Sequence, residues 1–115
     1  MWLITRDGFI SLVEYKHDPT MLLARARRED DLLTLVRPDE IQVDRDADYM
    51  YRAPVARTRV ALWMAKQIDG IDYTSHAKEE MSLWADGTRD TERYEAYMRV
   101  WGDLYEGLDE RAGRR

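Results

Sequence analysis

Trp2-Leu3-Ile4-Thr5-Arg6-Asp7-Gly8-Phe9-Ile10-Ser11-Leu12-Val13 is the stretch that decides the fold. Two runs rich in aromatic and β-branched residues, suited to a pleated surface, flank Asp7-Gly8, a dipeptide that tolerates the positive φ angles of a tight type I′ turn. With Asp7-Gly8 as the turn, Thr5 faces Ile10, Leu3 faces Leu12 and Trp2 faces Val13. One face then bears Leu3, Ile10 and Leu12, and the other Trp2, Ile4, Phe9 and Val13. A hairpin with one wet face alternates apolar and polar residues. This one does not, so both of its faces are expected to be covered.

Downstream, His17-Asp18-Pro19 closes the second strand, because proline cannot continue a ladder. Met21 to Arg27 alternates as a third strand, with Leu22, Ala24 and Ala26 opposite Arg25 and Arg27. Glu29-Asp30-Asp31 places negative charge where a helix N-terminus favours it, which predicts a short helix with Leu32, Leu35 and Val36 as its stripe, ending before Pro38. An acidic loop over 39–48 leads into a fourth strand, Tyr49 to Val55, with Tyr49, Tyr51, Ala53 and Val55 on one side and Met50 and Arg52 on the other. From Thr58 to Asp69 the period becomes helical: Val60, Trp63, Met64, Gln67 and Ile68 form one stripe, and Gly70 suits the C-cap. Ala77, Met81 and Trp84 share a further helical face that ends at Asp86-Gly87. Asp90 suits an N-cap, and Tyr94, Tyr97, Met98, Trp101, Leu104, Tyr105 and Leu108 make an unbroken stripe behind it.

The order strand-strand-strand-helix-strand-helix, then two helices, predicts an α+β fold. Its sheet is four-stranded and mainly antiparallel, with a C-terminal helical extension that is the expected cover for the second hairpin face. At 115 residues the chain is sized for one core, so residues 1–110 read as a single domain and 111–115 as a flexible basic tail. The absence of cysteine excludes disulfides and thiolate metal sites. No apolar run approaches the roughly 20 residues of a membrane span, and Asp7 interrupts a signal-peptide pattern. A cytoplasmic protein without membrane association is the expectation.

The net charge of −5 argues against wholesale phosphate binding, yet the charge is polarised along the chain. Residues 51–68 hold Arg52, Arg57, Arg59 and Lys66 and no acid, whereas residues 29–50 are strongly acidic. Arg25, Arg27 and Arg52, with Tyr49 and Tyr51 nearby, are the candidate binding residues: an arginine–tyrosine sheet face can hold single-stranded nucleic acid. The alternative is that these arginines pair with the acidic loop. Asp44-x-Asp46-x-Asp48 resembles the start of a calcium loop but lacks the glycine and the glutamate such a loop needs, having Tyr49 and Val55 in those places. His76, with Ser75, Glu79 and Glu80 close in sequence, and His17 are the histidines available for acid–base work. Neither shows a nucleophile and orienting carboxylate in a recognisable pattern. P-loop, dinucleotide-binding and zinc-protease motifs are missing. No catalytic residue, metal or cofactor is therefore expected.

Several pieces in fixed order resemble a family of small uncharacterised proteins of bacteria and their phages, mainly high-GC and actinobacterial. They are Met1-Trp2-Leu3, Asp7-Gly8-Phe9, Leu23-Ala24-Arg25-Ala26-Arg27, Asp46-Ala47-Asp48-Tyr49, Tyr51-Arg52, Ile71-Asp72-Tyr73 and Tyr97-Met98-Arg99-Val100-Trp101. Members often carry an aromatic–lysine pair after the Ile-Asp-Tyr piece, where this chain has His76-Ala77-Lys78. The family carries no established activity; phage kinship implies a protein that interferes with or adjusts host machinery. The residue-level reading points the same way, to a small non-enzymatic regulator or inhibitor that binds another protein. A nucleic-acid- or nucleotide-binding module is the alternative, a small hydrolase using His76 a third reading, and homodimerisation is compatible with each.

Overall fold

The computed structural model describes residues 1–112, and of Ala112 only the backbone. It has an antiparallel sheet and helices, the α+β class expected. The strands are β1 (Trp2–Thr5), β2 (Gly8–Glu14), β3 (Met21–Ala26), β4 (Gln42–Val43) and β5 (Tyr51–Ala56), and the helices α1 (Arg57–Asp69), α2 (Ala77–Glu80) and α3 (Thr91–Leu108). By its contacts the chain falls into two compact units, Met1–Asp72 and the part from Tyr73 onward. The positions Gly113, Arg114 and Arg115 of the expected basic tail lie outside the described residues. Arg111 lies in a final 3-10 turn, Glu110–Ala112, and its Nη2 meets Asp109 at 2.8 Å.

The first unit contains a five-stranded sheet of order β1-β2-β3-β5-β4, rather than the four strands expected. The extra strand, β4, is a two-residue piece of the acidic loop that pairs Gln42 with Arg52 and Val43 with Tyr51. It is too short to leave a periodic signal. The hairpin is present, but its loop is Arg6-Asp7: Leu3 pairs with Ile10 and Ile4 with Phe9. The physical reason is local. A type I′ turn at Asp7-Gly8 needs positive φ at Asp7, and among the described residues only glycines take positive φ, Gly8 at 133°. The register therefore moves by two residues, which leaves each side chain on its original face.

That inner face builds the core. Ile10, Leu12, Ala24, Ala26, Ala53 and Val55 are buried with Leu32, Leu35, Val36, Val60 and Trp63, and Leu3, Leu22, Tyr51 and Met64 pack against them. Three alanines at the sheet centre have no exposure, so what lies over them sits close. Residues 29–36 are a 3-10 turn, Glu29–Asp31, followed by further turns, not the short helix predicted. Leu32, Leu35 and Val36 still reach the core. α1 covers the same face with Val60 and Trp63, and its Trp63 indole donates to Thr34 Oγ1 at 3.2 Å. Ile68, at the end of the expected stripe, is 65% exposed.

Asp31 ties the hairpin to that turn. Its side chain is buried, and Oδ2 accepts from the Phe9 N–H at 3.0 Å. A Cβ at Gly8 would stand 2.2 Å from Asp31 Cγ, far inside van der Waals contact. Gln67 donates to Asp7 Oδ2 at 2.6 Å, and Arg6 pairs with Asp72, so the loop is also held from the end of α1.

In the second unit, α2 is a single turn instead of a helix reaching Trp84. Trp84 N donates to Thr88 O at 2.8 Å and Leu83 bridges Arg89, a small hairpin turned by Gly87 at φ 88°. Asp86 has accepted from the Thr88 hydroxyl at 2.6 Å, which favours turn over helix. Asp90 caps α3 as expected, accepting from Arg93 N at 3.1 Å.

Gly8→Ala is expected to cost about 2–4 kcal/mol, from positive-φ strain and the clash with Asp31. Asp31→Ala is expected to cost about 1–3 kcal/mol by orphaning the Phe9 N–H. Urea denaturation of both variants checks this; parent-like midpoints would show that the contact is not structural.

Candidate binding surface on the outer sheet face

Cross-strand pairing writes one row of residues on the face turned away from the core. Trp2 pairs with Ser11, Ser11 with Arg25, Arg25 with Arg52 and Arg52 with Gln42, so the row crosses all five strands. At about 4.8 Å per strand it spans roughly 19 Å. Its ends are an exposed tryptophan and an exposed glutamine, with two arginines between them; Trp2 is 74% exposed. Within the first unit nothing covers this edge of the hairpin's second face, where Trp2 meets Phe9 edge-on at 6.4 Å and Ile4 is also exposed.

Of the five candidate binding residues, the structure brings four together. Arg25 and Arg27 both lie over the Tyr49 ring, their Cζ atoms 4.6 and 4.4 Å from its centroid, and Arg52 stands cross-strand from Arg25. Tyr51 is not with them. It pairs with Ala26 and packs against the core. The expectation that Tyr49 and Tyr51 share one side of a strand fails because β5 starts only at Tyr51. Tyr49 sits in a bend where its N–H is bonded by Asp48 Oδ1 at 2.9 Å, and Asp44 N reaches Met50 O at 2.8 Å. That bend frees the Tyr49 ring from strand alternation. The ring is itself buried, with Phe9 at 6.3 Å completing its surroundings.

Among the described residues, Arg25, Arg27 and Arg52 form no ion pair. Arg25 donates to Ser11 Oγ at 2.8 Å while its Nε is buried without a partner, and Arg27 donates to the Asp48 carbonyl at 3.4 Å. Pairing with the acidic loop, the alternative considered from sequence, applies instead to Arg59. It holds Glu40 by two bonds of 2.7 and 2.9 Å. Asp44 and Asp48 turn their oxygens to backbone N–H groups of Asp46 and Tyr49, and no cluster of three metal-ligating side chains occurs among the described residues. His76 is exposed, with Nδ1 3.6 Å from Glu79; among the described residues no hydroxyl is bonded to its ring, and Thr74 Oγ1 accepts only from its backbone N–H.

A groove of about 640 Å³ opens at the β4 end of the row, between the β2–β3 loop and the Gln42–Asp44 segment. It leaves no signal in the sequence, because it is made by bringing residues 14–17 beside residues 42–44 and 52. In the second unit, the α3 stripe is covered at Tyr97 but open at Trp101, Leu104, Tyr105 and Leu108. No helix among the described residues is long and apolar enough to cross a membrane. Comparison with protein-family models, curated proteins and solved structures finds no match to this chain.

The Arg59 guanidinium, bonded to both carboxylate oxygens, holds Glu40 down at about 2, with the Arg37 N–H helping. Because that folded value lies below the ordinary 4.5, the pair's contribution is complete above about pH 4.5 and is lost as pH falls towards 2. Glu40→Gln is expected to lower the melting temperature at pH 7, and the gap to the parent protein should close over that window. A gap that does not change with pH would overturn the assignment.

Proposed function

We propose that the protein acts by binding rather than catalysis, and that its outer sheet face engages an acidic surface of another cytoplasmic protein, which it regulates or inhibits. The observation that carries this reading is the set Arg25, Arg27 and Arg52: cations gathered on one face, without carboxylate partners, beside an exposed tryptophan. Arginine and tryptophan dominate the energetics of protein interfaces, and a concentrated positive face selects and steers an acidic partner. The resemblance to phage and actinobacterial proteins supports a host-directed role. The exposed His76, without a nucleophile, lends a hydrolase reading no support.

Single-stranded nucleic acid is the second reading. It is favoured by the two guanidinium groups over Tyr49 and by the free Trp2 ring, which is open to stacking. The net charge of −5 works against it at long range.

Tagged protein incubated with host extract at moderate salt is expected to retain a specific protein. The combined Arg25→Ala, Arg27→Ala, Arg52→Ala variant should reduce its recovery by about tenfold or more. Undiminished recovery by a folded triple variant would remove the sheet face from the interaction. Tight single-strand oligonucleotide binding that falls steeply with salt would select the second reading.

A further inference from the structure

The groove at the β4 end of the arginine row is chemically unlike the rest of the face. One wall is a turn that presents Tyr15, Lys16 and His17. This turn is closed by hydrogen bonds: Asp18 N donates to Tyr15 O at 3.2 Å, and Asp18 Oδ1 accepts from both the N–H and the hydroxyl of Thr20, at 2.9 and 2.7 Å. The Thr20 hydroxyl bond, then its N–H, holds the Asp18 carboxyl below the usual range. The Tyr15 and His17 rings pack edge to face at 5.2 Å, forming an aromatic wall. Leu23 and Val43 supply apolar surface, and Arg52 and Gln42 come from the row itself. Among the described residues Arg52 and Lys16 form no ion pair, and Arg25 stands cross-strand from Arg52.

We propose that this groove is a binding site for a nucleoside monophosphate, free or as a unit of a nucleic-acid chain. Its volume falls within the roughly 300–1,000 Å³ of small-molecule sites. A flat heterocycle needs aromatic and aliphatic walls, which Tyr15, His17, Leu23 and Val43 provide. A phosphate needs a planar cation able to make paired bonds, which Arg52 provides, with Lys16 as a second charge. Glu14 and Asp44 also line the groove. They accept from ring amino or ribose hydroxyl groups and repel a second or third phosphate, so the site prefers one phosphate to three. The site shares Arg52 with the protein-binding face, but nucleotide binding in the groove is read by titration without any protein partner, so either reading can fail while the other holds.

The four nucleoside monophosphates, the corresponding nucleosides and triphosphates, inorganic phosphate and a short single-stranded oligonucleotide are titrated against the intact chain by calorimetry. At least one monophosphate should bind saturably, about tenfold or more tighter than its nucleoside, its triphosphate or phosphate alone. Arg52→Ala should remove that preference, Arg52→Lys should restore part of it, and Lys66→Ala on the far helix should change nothing. An oligonucleotide that binds more tightly than any monophosphate, with the same Arg52 dependence, assigns the ligand to a nucleic-acid chain; weaker binding assigns it to a free nucleotide. No saturable binding at millimolar ligand, or binding that Arg52→Ala leaves intact in a variant with parent-like circular dichroism, overturns the proposal.

Discussion

The contact on which the first unit depends is the approach of the Asp31 carboxylate to the backbone at Gly8. The carboxylate is buried, and a buried charge is tolerable only when hydrogen-bonded; Phe9 N–H supplies one such bond. The approach is open only because position 8 carries no Cβ. It places the turn bearing Leu32, Leu35 and Val36 over the inner face of the hairpin, where Ile10 and Leu12 wait. From the other side, Gln67 and Asp72 hold the Arg6-Asp7 loop to the end of α1. Three elements distant in sequence thus converge on one tight turn, and the core lies among them.

The faces of the hairpin were legible in the sequence because strand alternation survives an error of two in register. The turn was not, because Asp-Gly serves more than one geometry and Asp7 keeps negative φ. The core role of Leu32, Leu35 and Val36 was legible too, although not as a helix: apolar spacing of three and four reports a shared side, and successive turns satisfy it as well as α-helix does. Tyr49 shows the opposite failure. Its alternation with Tyr51 looked like a strand, but Asp48 and Asp44 bond nearby backbone N–H groups and bend the chain before β5 begins. A bend of this kind is set by which N–H each aspartate finds, and composition does not specify that.

The same backbone bonding explains why Arg25, Arg27 and Arg52 have no acidic partners among the described residues. A strongly acidic loop beside basic strands would ordinarily be expected to neutralise them. Asp44 and Asp48 accept from their own loop, and Glu40 takes Arg59 bidentately. Arg25 and Arg27 instead lie on Tyr49, a contact worth about 0.5–2 kcal/mol each that orients the guanidinium groups without cancelling their charge. The face therefore keeps three guanidinium groups without ion pairs among the described residues of an acidic protein. Such a grouping is lost from any reading of net charge and visible only when the row Trp2-Ser11-Arg25-Arg52-Gln42 is assembled across the sheet.

The α3 stripe marks where sequence periodicity stops being informative. Spacing marked the helix, and Asp90 begins it as expected, but of the stripe only Tyr97 is buried. Periodicity defines a side but not what covers it, and the half from Trp101 to Leu108 is open. The Trp101 ring already has two close neighbours, Tyr105 stacked at 6.0 Å and the Lys78 ammonium at 4.7 Å. Those contacts leave less room for a base to stack on it than at Trp2, whose ring neighbour Phe9 meets it edge-on. Stacked, conformationally restricted aromatics beside leucines suit side-chain packing at a protein interface, where little rotamer freedom remains to be lost. The chain thus presents two surfaces of different chemistry, an arginine row with a free tryptophan on one unit and a leucine–aromatic stripe on the other.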